Sequence, residues 1–177
     1  KEKYVRDHMV VSVVGNFDEK EIAEYIENHF YELNETRKDP KVQYVPYSKS
    51  SRTIIKDIEQ SHIFMGIESI KMSDERNFDL AVLNNILGGS MSSRLFQHIR
   101  EQKGLAYSVF SGNATNTNSG EFFIYAGVAH DKIQDAILGI QEELAKLKEN
   151  GVTDEELDMA KVQIKSNYVF SQENIVS

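Results

Sequence analysis

The sequence predicts an α+β fold, in which helices pack on one face of a mainly antiparallel β-sheet. Two segments rich in apolar, aromatic and β-branched residues, 105–115 and 121–128, flank a polar tip at 116–120, which is the pattern of an antiparallel hairpin. Apolar residues at helical spacing occur both before and after this hairpin. Because an antiparallel sheet commonly buries one face and leaves the other in water, we expect the helices on the buried face.

The first predicted unit is a strand followed by a helix. Residues 9–14 are an apolar, mostly β-branched run that ends in a Gly-Asn turn, which indicates a buried strand. Asp18 and Glu21 indicate the start of a helix, because carboxylates are favoured near the positive end of the helix dipole. One face of this helix should be buried, since apolar residues recur at every fourth position: Ile22, Ile26 and Phe30.

A polar segment then marks a domain boundary. Residues 34–51 contain both prolines of the chain and have no apolar period, as expected of a linker. Two apolar-rich strands are predicted next, at 52–58 and 62–68, with a polar turn between them. The sequence leaves open whether they form a hairpin or one bent strand.

A helix is predicted at 73–87, with an apolar face wide enough to pack against a sheet. That face comprises Phe78, Leu80, Val82, Leu83, Ile86 and Leu87. Gly88-Gly89 should end the helix, because glycine is costly in backbone entropy inside a helix.

The next segment combines a short helix with the start of the hairpin. Ser92 or Ser93 can cap the first turn, and Gly104 suits a left-handed C-terminal cap. The apolar face of this helix comprises Leu95, Phe96 and Ile99. Arg100 therefore lies on the last helical turn, and Tyr107 lies on the strand that follows.

Two further helices follow the hairpin. Residues 131–149 form an amphipathic helix that stops at Asn150-Gly151, and Thr153 to Glu156 is a capping box for the last helix. Within the hairpin, Phe123 and Tyr125 share one face, and Phe122 and Ile124 share the other. Core packing is the simpler explanation for these aromatic residues, and contact with a peptide is the alternative.

Composition excludes several classes of protein. The formal net charge of -8 argues against a nucleic-acid surface, which needs a basic stripe. No apolar run approaches the roughly twenty residues that span a bilayer, and nothing at the start resembles a signal peptide, so a cytoplasmic location is expected. Cysteine is absent, which excludes disulfides, thiol nucleophiles and thiolate metal ligands.

The histidines do not predict a metal site. His8, His29, His62, His98 and His130 are scattered singly, whereas a helical zinc motif needs two histidines on one helix face with a nearby glutamate. We expect His29 at the polar edge of a helix, His62 inside a strand, and both His98 and His130 to be exposed.

Residues 87–111, LGGSMSSRLFQHIREQKGLAYSVFS, resemble the second-domain signature of the pitrilysin-type (M16) zinc metallopeptidases, the inverzincins, in the branch that includes the mitochondrial processing peptidase and its bacterial relatives. Residues 9–33 are similar to the strand and helix that close the first domain of that family. Residues 58–66 resemble the opening strand of the second domain. The resemblance thus covers nearly the whole chain and implies the processing-peptidase-like metallopeptidase fold.

The resemblance implies a zinc-dependent endopeptidase acting on peptides or unfolded polypeptides. In this family the metal site, with an inverted H-x-x-E-H motif, lies in the first domain, and an Arg and a Tyr of the second domain reach the bound peptide. Arg100 and Tyr107 match that pair and are the catalytic candidates, as donors toward a substrate carbonyl that gains negative charge. Gly88 and Gly89 are the substrate-binding candidates, because they would let the next helix approach the peptide. From the residues alone, Arg100 would be a solvated cation and Tyr107 a packing residue.

We expect the chain to be a piece of a longer enzyme. Residues 1–33 would close a preceding domain, 34–51 would be the linker, and 52–177 would be the second, non-metal-binding domain, truncated at its C-terminus. Zinc is then expected in the intact parent and not in this fragment, which should be inactive alone. The expected partners are peptide substrates and the upstream metal-binding domain, and a homodimer or heterodimer is left open. Residues 10–14 should dock on the second-domain sheet, in the same chain or swapped between two chains.

Two alternatives remain at this point. In the first, the parent is a non-catalytic subunit or partner-binding member of the same family, which the presence or absence of the upstream metal motif would decide. More remotely, the chain is a protein-interaction domain that uses the edge of its hairpin.

Overall fold

The structure, a computed structural model, describes residue 5, residues 9–31, residue 44 and residues 46–172. The chain divides into two compact units, Lys1–Val42 and Gln43–Ser177. Much of the predicted linker lies outside the described residues, and its described part, 44 and 46–51, forms no helix or strand. The assignment of 1–33 and 52–177 to successive domains of a longer protein stays a prediction.

The first unit contains one described helix, α1 (Glu19–Phe30). The Asp18 carboxylate accepts hydrogen bonds from the amides of Lys20 (2.9 Å) and Glu21 (3.1 Å), which confirms the predicted start of the helix. The strand predicted at 9–14 is wrong, because these residues form no strand and Val10 is 96% exposed. An extended segment needs a neighbouring strand for its amides and carbonyls, and local β-propensity does not supply one.

The second unit is built on a three-stranded antiparallel sheet. Its strands are β1 (Ser61–Ser69), β2 (Ala106–Thr115) and β3 (Gly120–Val128), and β3 lies between the other two in the order β1-β3-β2. The predicted hairpin of β2 and β3 and the α+β fold class are confirmed. Residues 10–14 form no strand in this chain, and the alternative that they dock on such a sheet by a swap between two chains stays a prediction.

A short 3₁₀-helix (His130–Lys132) and four longer helices accompany the sheet in the described part of the second unit. The longer helices are α2 (Asn77–Leu87), a π-helix (Phe96–Gln102), α3 (Ile133–Asn150) and α4 (Asp154–Gln172). None of the helices in the described ranges is both long and apolar enough to cross a membrane.

The core lies on one face of the sheet, as expected of helices packed on one side. On β3, Phe122, Ile124 and Ala126 point into the core and alternate with Phe123 and Tyr125 on the other face. The other buried apolar residues of this cluster are Leu87, Leu95, Ile99, Ala106, Val109, Val128, Ala136 and Ile140. The short helix before the hairpin, α3 and the end of α2 therefore all contribute to one core.

Two expectations about apolar residues are wrong. The predicted strand at 52–58 is absent, and Ile55 within it is 93% exposed, because this segment pairs with no described strand. Phe78 is 82% exposed, since α2 begins at Asn77 and only its last residues, Ile86 and Leu87, are buried.

The predicted ends of the later helices are largely confirmed. Gly104 and Gly151 have φ angles of 57° and 69°, which suit glycine at a helix C-terminus. Thr153 and Glu156 form the capping box, because the Thr153 amide donates to the Glu156 carboxylate (2.8 Å) and the Glu156 amide to Thr153 Oγ1 (3.2 Å). The predicted serine cap at 92 or 93 is wrong, since the Ser93 hydroxyl instead donates to the carbonyl of Ser90 (2.5 Å).

Candidate functional site

The backbone that carries Arg100 is a π-helix. The amide of Lys103 donates to the carbonyl of His98 (3.1 Å), five residues earlier. Gly104, the next residue, has a positive φ angle. Turns of this type are rare and occur frequently at functional sites. The sequence predicted a short helix here but did not distinguish its hydrogen-bonding pattern from that of an α-helix.

The Arg100 guanidinium is accessible. Its side chain is 44% exposed, and Nε lies 3.9 Å from Glu101 Oε1. The guanidinium carbon lies 4.7 Å from the centroid of the Phe96 ring, a cation–π contact that orients the side chain without using its N–H donors. Several N–H groups of Arg100 can therefore reach a ligand.

Tyr107 lies at an irregularity of β2. Ala106 pairs with Val128 and Ser108 with Gly127, so Tyr107 is an extra residue without a partner on β3. Bulges of this kind redirect side chains and are common beside active sites. Tyr107 is 60% exposed, and among residues 46–172 no hydrogen bond to its hydroxyl is found.

A tight connection joins the π-helix to β2. The amide of Leu105 donates to the carbonyl of Ile99 (2.9 Å), and the positive φ of Gly104 lets the chain reverse between them. The backbone just before Arg100 is thereby bonded to the backbone just before the bulge at Tyr107. A cationic and a phenolic hydrogen-bond donor thus lie at one junction, although no direct bond joins the two side chains in the described part of the chain.

Gly88 and Gly89 end α2 as predicted, and their surroundings explain why glycine is present. The Ser111 amide on β2 donates to the Gly88 carbonyl (3.2 Å), and a Cβ on Gly88 would lie 2.4 Å from the Ser111 amide nitrogen. The Ser111 hydroxyl also donates to Asn84 Oδ1 (2.8 Å). A Cβ on Gly89 would lie 3.0 Å from the Asn84 carbonyl oxygen. These contacts attach the end of α2 to β2, and the substrate-binding role of the two glycines stays a prediction.

Arg94, at the start of the short helix, anchors that helix to α4. Its guanidinium donates to both carboxylate oxygens of Glu156 (2.6 and 2.7 Å) and to the carbonyl of Gly151 (2.9 Å). The hydrogen bonds from Arg94 lower the pKa of Glu156 to about 2. The sequence predicts Glu156 only as a capping residue, because its partner is 62 residues away in the chain.

The sheet face opposite the core carries a row of aromatic rings. Phe64 on β1 stacks on Phe123 (centroids 5.0 Å apart), and Phe110 on β2 lies 5.0 Å from the Tyr125 ring. Tyr125 also hydrogen-bonds to His62 Nδ1 (2.7 Å). Core packing, the simpler expectation for the aromatic residues of the hairpin, is therefore confirmed for Phe122 and wrong for Phe123 and Tyr125, which are half-buried on the opposite face. Alternation along β3 assigned them to one face, and only the strand pairing shows that Phe64 and Phe110 share it.

The described histidines are engaged in separate contacts. His29 Nδ1 donates to the carbonyl of Tyr25 (2.8 Å), and His130 lies beside Ser61 Oγ (2.7 Å) and the Ile58 carbonyl (2.9 Å). The expectation that His98 is exposed is wrong, because its side chain is mostly buried against α3, where it hydrogen-bonds to Glu143. His8 lies outside the described residues.

The described ranges contain no group of three or more His, Asp or Glu side chains placed to hold a metal ion. A catalytic zinc usually takes three protein ligands. The described residues therefore do not fit a catalytic zinc site.

Comparison with known proteins gives relatives along almost the entire chain. An uncharacterized zinc protease, YmxG, from Bacillus subtilis is 40% identical over 171 residues, and an uncharacterized zinc protease from Rickettsia felis is 39% identical over 175 residues. Each match covers 97% of this chain and 42% of the relative. The chain therefore spans less than half the length of these curated relatives.

Solved structures show the same fold. The crystal structure of a peptidase M16 inactive domain from Pseudomonas fluorescens is 28% identical, with a TM-score of 0.59 over 62% of this chain and 27% of that chain. A protease from Helicobacter pylori is 25% identical, with a TM-score of 0.70 over 91% of this chain and 41% of that chain. Residues 1–164 match the family model described as the peptidase M16 inactive domain, and this chain belongs to that family.

Proposed function

We propose that this chain is the substrate-side part of a zinc-dependent endopeptidase that acts on peptides or unfolded polypeptides. The observation that carries the proposal is the position of Arg100 and Tyr107, two accessible donors on irregular backbone at one junction. Relatives that are named zinc proteases support the class of reaction. Because the described residues do not fit a zinc site, we place the zinc in another part of a longer polypeptide.

The two side chains have complementary roles in this proposal. When a peptide bond is hydrolysed, its carbonyl oxygen gains negative charge, and donors already aimed at that oxygen lower the barrier. Arg100 supplies a permanent positive charge with several N–H donors, and Tyr107 supplies a single O–H donor. The contact with the Phe96 ring orients the Arg100 side chain. The bulge in β2 sets the direction of the Tyr107 side chain.

The proposal also defines the partners of the chain. A metal-binding domain of the same polypeptide would face the donors, and the peptide would lie between the two. Without that domain, this chain should bind no catalytic zinc and hydrolyse nothing.

The test is made in the full-length protein that carries this chain. Arg100→Ala and Tyr107→Phe should each lower kcat for a quenched fluorogenic peptide by about 10²–10³-fold, the usual cost of removing one such donor. Zinc content should be unchanged, because neither residue is a metal ligand. Arg52→Ala and Tyr168→Phe are matched controls, since both residues are exposed and neither belongs to the π-helix or β2.

The outcome separates this proposal from its main alternative. Unchanged kcat in both Arg100→Ala and Tyr107→Phe would contradict the roles of these residues. A full-length protein that holds no zinc and cleaves no peptide would instead support a non-catalytic member of the family.

A further inference from the structure

Helix α3 contacts the π-helix on both sides of Arg100. The Glu143 carboxylate hydrogen-bonds to His98 Nδ1, and the Glu142 carboxylate accepts a hydrogen bond from Lys103 Nζ (2.7 Å). Glu142 and Glu143 are adjacent on α3, and the backbones of His98 and Lys103 form the π-type hydrogen bond that spans Arg100 at the end of the helix. Side chains of α3 therefore hold both ends of the turn that contains Arg100.

A third contact fixes the spacing between the two helices. Gly139 lies one helical turn before Glu143 on the same face of α3. A Cβ on Gly139 would lie 2.7 Å from Cδ1 of Ile99, a residue that is completely buried. Glycine thus lets the π-helix approach α3 closely enough for the two carboxylates to reach their partners.

Glu143 is the unusual member of this set because it is only 5% exposed. A buried carboxylate is costly unless it is paired, and Glu143 has two cationic or donor partners, His98 and Lys146 Nζ (2.7 Å). An apolar residue at position 143 would be buried at a lower desolvation cost than a carboxylate. The role of Glu143 should therefore depend on its bond to His98.

The π turn has one residue more than an α turn between its hydrogen-bonded groups. If the His98 end is released, the turn can return to the commoner α-helical pattern, which changes the direction of the side chains within it. Arg100 would then leave its position relative to Tyr107.

We propose that Glu143 is a positioning residue: through His98 it maintains the π turn that presents Arg100 to the peptide. This inference rests on the proposed function, because it assigns Glu143 to the same site. In the isolated chain, the Lys103 amide should then be protected from hydrogen exchange by its bond to the His98 carbonyl, which the contact between Glu143 and His98 maintains.

Three variants test the proposal in the full-length protein. Glu143→Ala and His98→Ala should lower kcat by about 10- to 100-fold, the usual effect of a small misplacement of a catalytic group, with KM within about twofold because transition-state binding alone is lost. Glu143→Gln should retain kcat within about threefold, since its amide oxygen still accepts from His98. His98→Ala serves if Glu143→Ala fails to fold, because it leaves Glu143 paired with Lys146.

Two further measurements separate a positioning role from a merely structural one. In a double variant with Arg100→Ala, Glu143→Ala should lower kcat no further, because both changes remove the same interaction. In the isolated chain, His98→Ala should increase hydrogen exchange of the Lys103 amide at least tenfold, whereas Asp74→Ala, which removes an ion pair with Arg76 outside this cluster, should not.

The outcomes distinguish failure of this inference from failure of the proposed function. Wild-type kcat and unchanged Lys103 exchange in His98→Ala would overturn the positioning role while Arg100→Ala still lowers kcat. Wild-type kcat in Arg100→Ala as well as in Tyr107→Phe would overturn the roles assigned in the proposed function, and the positioning role of Glu143 with them.

Discussion

Gly88 and Ser111 are in direct backbone contact, with the Ser111 amide 3.2 Å from the Gly88 carbonyl oxygen. This bond joins the end of α2 to an interior position of β2. It also leaves no space for a side chain at residue 88, since a Cβ there would lie 2.4 Å from the Ser111 nitrogen.

Gly88→Ala should therefore destabilise the chain by about 2–3 kcal/mol, because the clash is with backbone and can be relieved only by moving α2 away from β2. Gly104→Ala is the matched control. Its cost should be about 1 kcal/mol, from the positive φ alone, since nothing lies within 4 Å of a Cβ at that position. Urea unfolding of both variants measures the difference, and equal costs would contradict the packing role of Gly88.

The ion pair of Arg94 and Glu156 predicts acid sensitivity. The pKa of Glu156 is lowered from 4.5 to about 2 in the folded chain, so the stabilisation from the pair is complete above about pH 4.5 and is lost as the pH falls toward 2. We expect it to be worth about 1–2 kcal/mol, because solvent partly screens the pair. Glu156→Gln should make the free energy of unfolding less dependent on pH in this range.

Glu155→Gln is the control for that measurement, because Glu155 is exposed in the same helical turn and has no such partner among the described residues. Asp74, whose pKa the Arg76 hydrogen bond lowers to about 2, contributes to the pH dependence of both proteins equally. Identical pH profiles for Glu156→Gln and Glu155→Gln would show that the Arg94 pair contributes nothing.

The two faces of the sheet should differ in their tolerance of truncation. Phe122→Ala removes a buried ring from the core and should cost about 3–5 kcal/mol. Phe64→Ala removes an exposed ring that stacks on Phe123 and should cost about 1 kcal/mol. Thermal or urea unfolding compares them. A comparable loss in Phe64→Ala would mean that the aromatic face is a second core rather than an accessible surface.

Local patterns in the sequence were sufficient to predict much of this fold. The Asp18 cap, the hairpin tip, Gly104, Gly151 and the Thr153 capping box all depend on neighbours within a few residues, and each is confirmed. The predicted strand at 9–14 is wrong because a strand depends on a partner distant in sequence, and β-branched composition does not show whether one exists.

The candidate site was only partly predictable for the same reason. Arg100 and Tyr107 were identified by resemblance, and their functional roles stay proposals. The π turn and the bulge that carry them depend on one extra residue in each element, which no apolar period reveals. The burial of His98 against Glu143 and the Arg94 pair with Glu156 both join residues more than forty positions apart, so neither could be inferred from spacing.

The most direct test of the central claim compares this chain with the full-length protein, by measuring bound zinc and the cleavage of a quenched fluorogenic peptide mixture with and without chelator. We predict that the full-length protein holds zinc and cleaves peptides in a chelator-sensitive manner, whereas this chain alone does neither. Stoichiometric zinc together with chelator-sensitive cleavage by this chain alone would contradict the assignment of a substrate-side role.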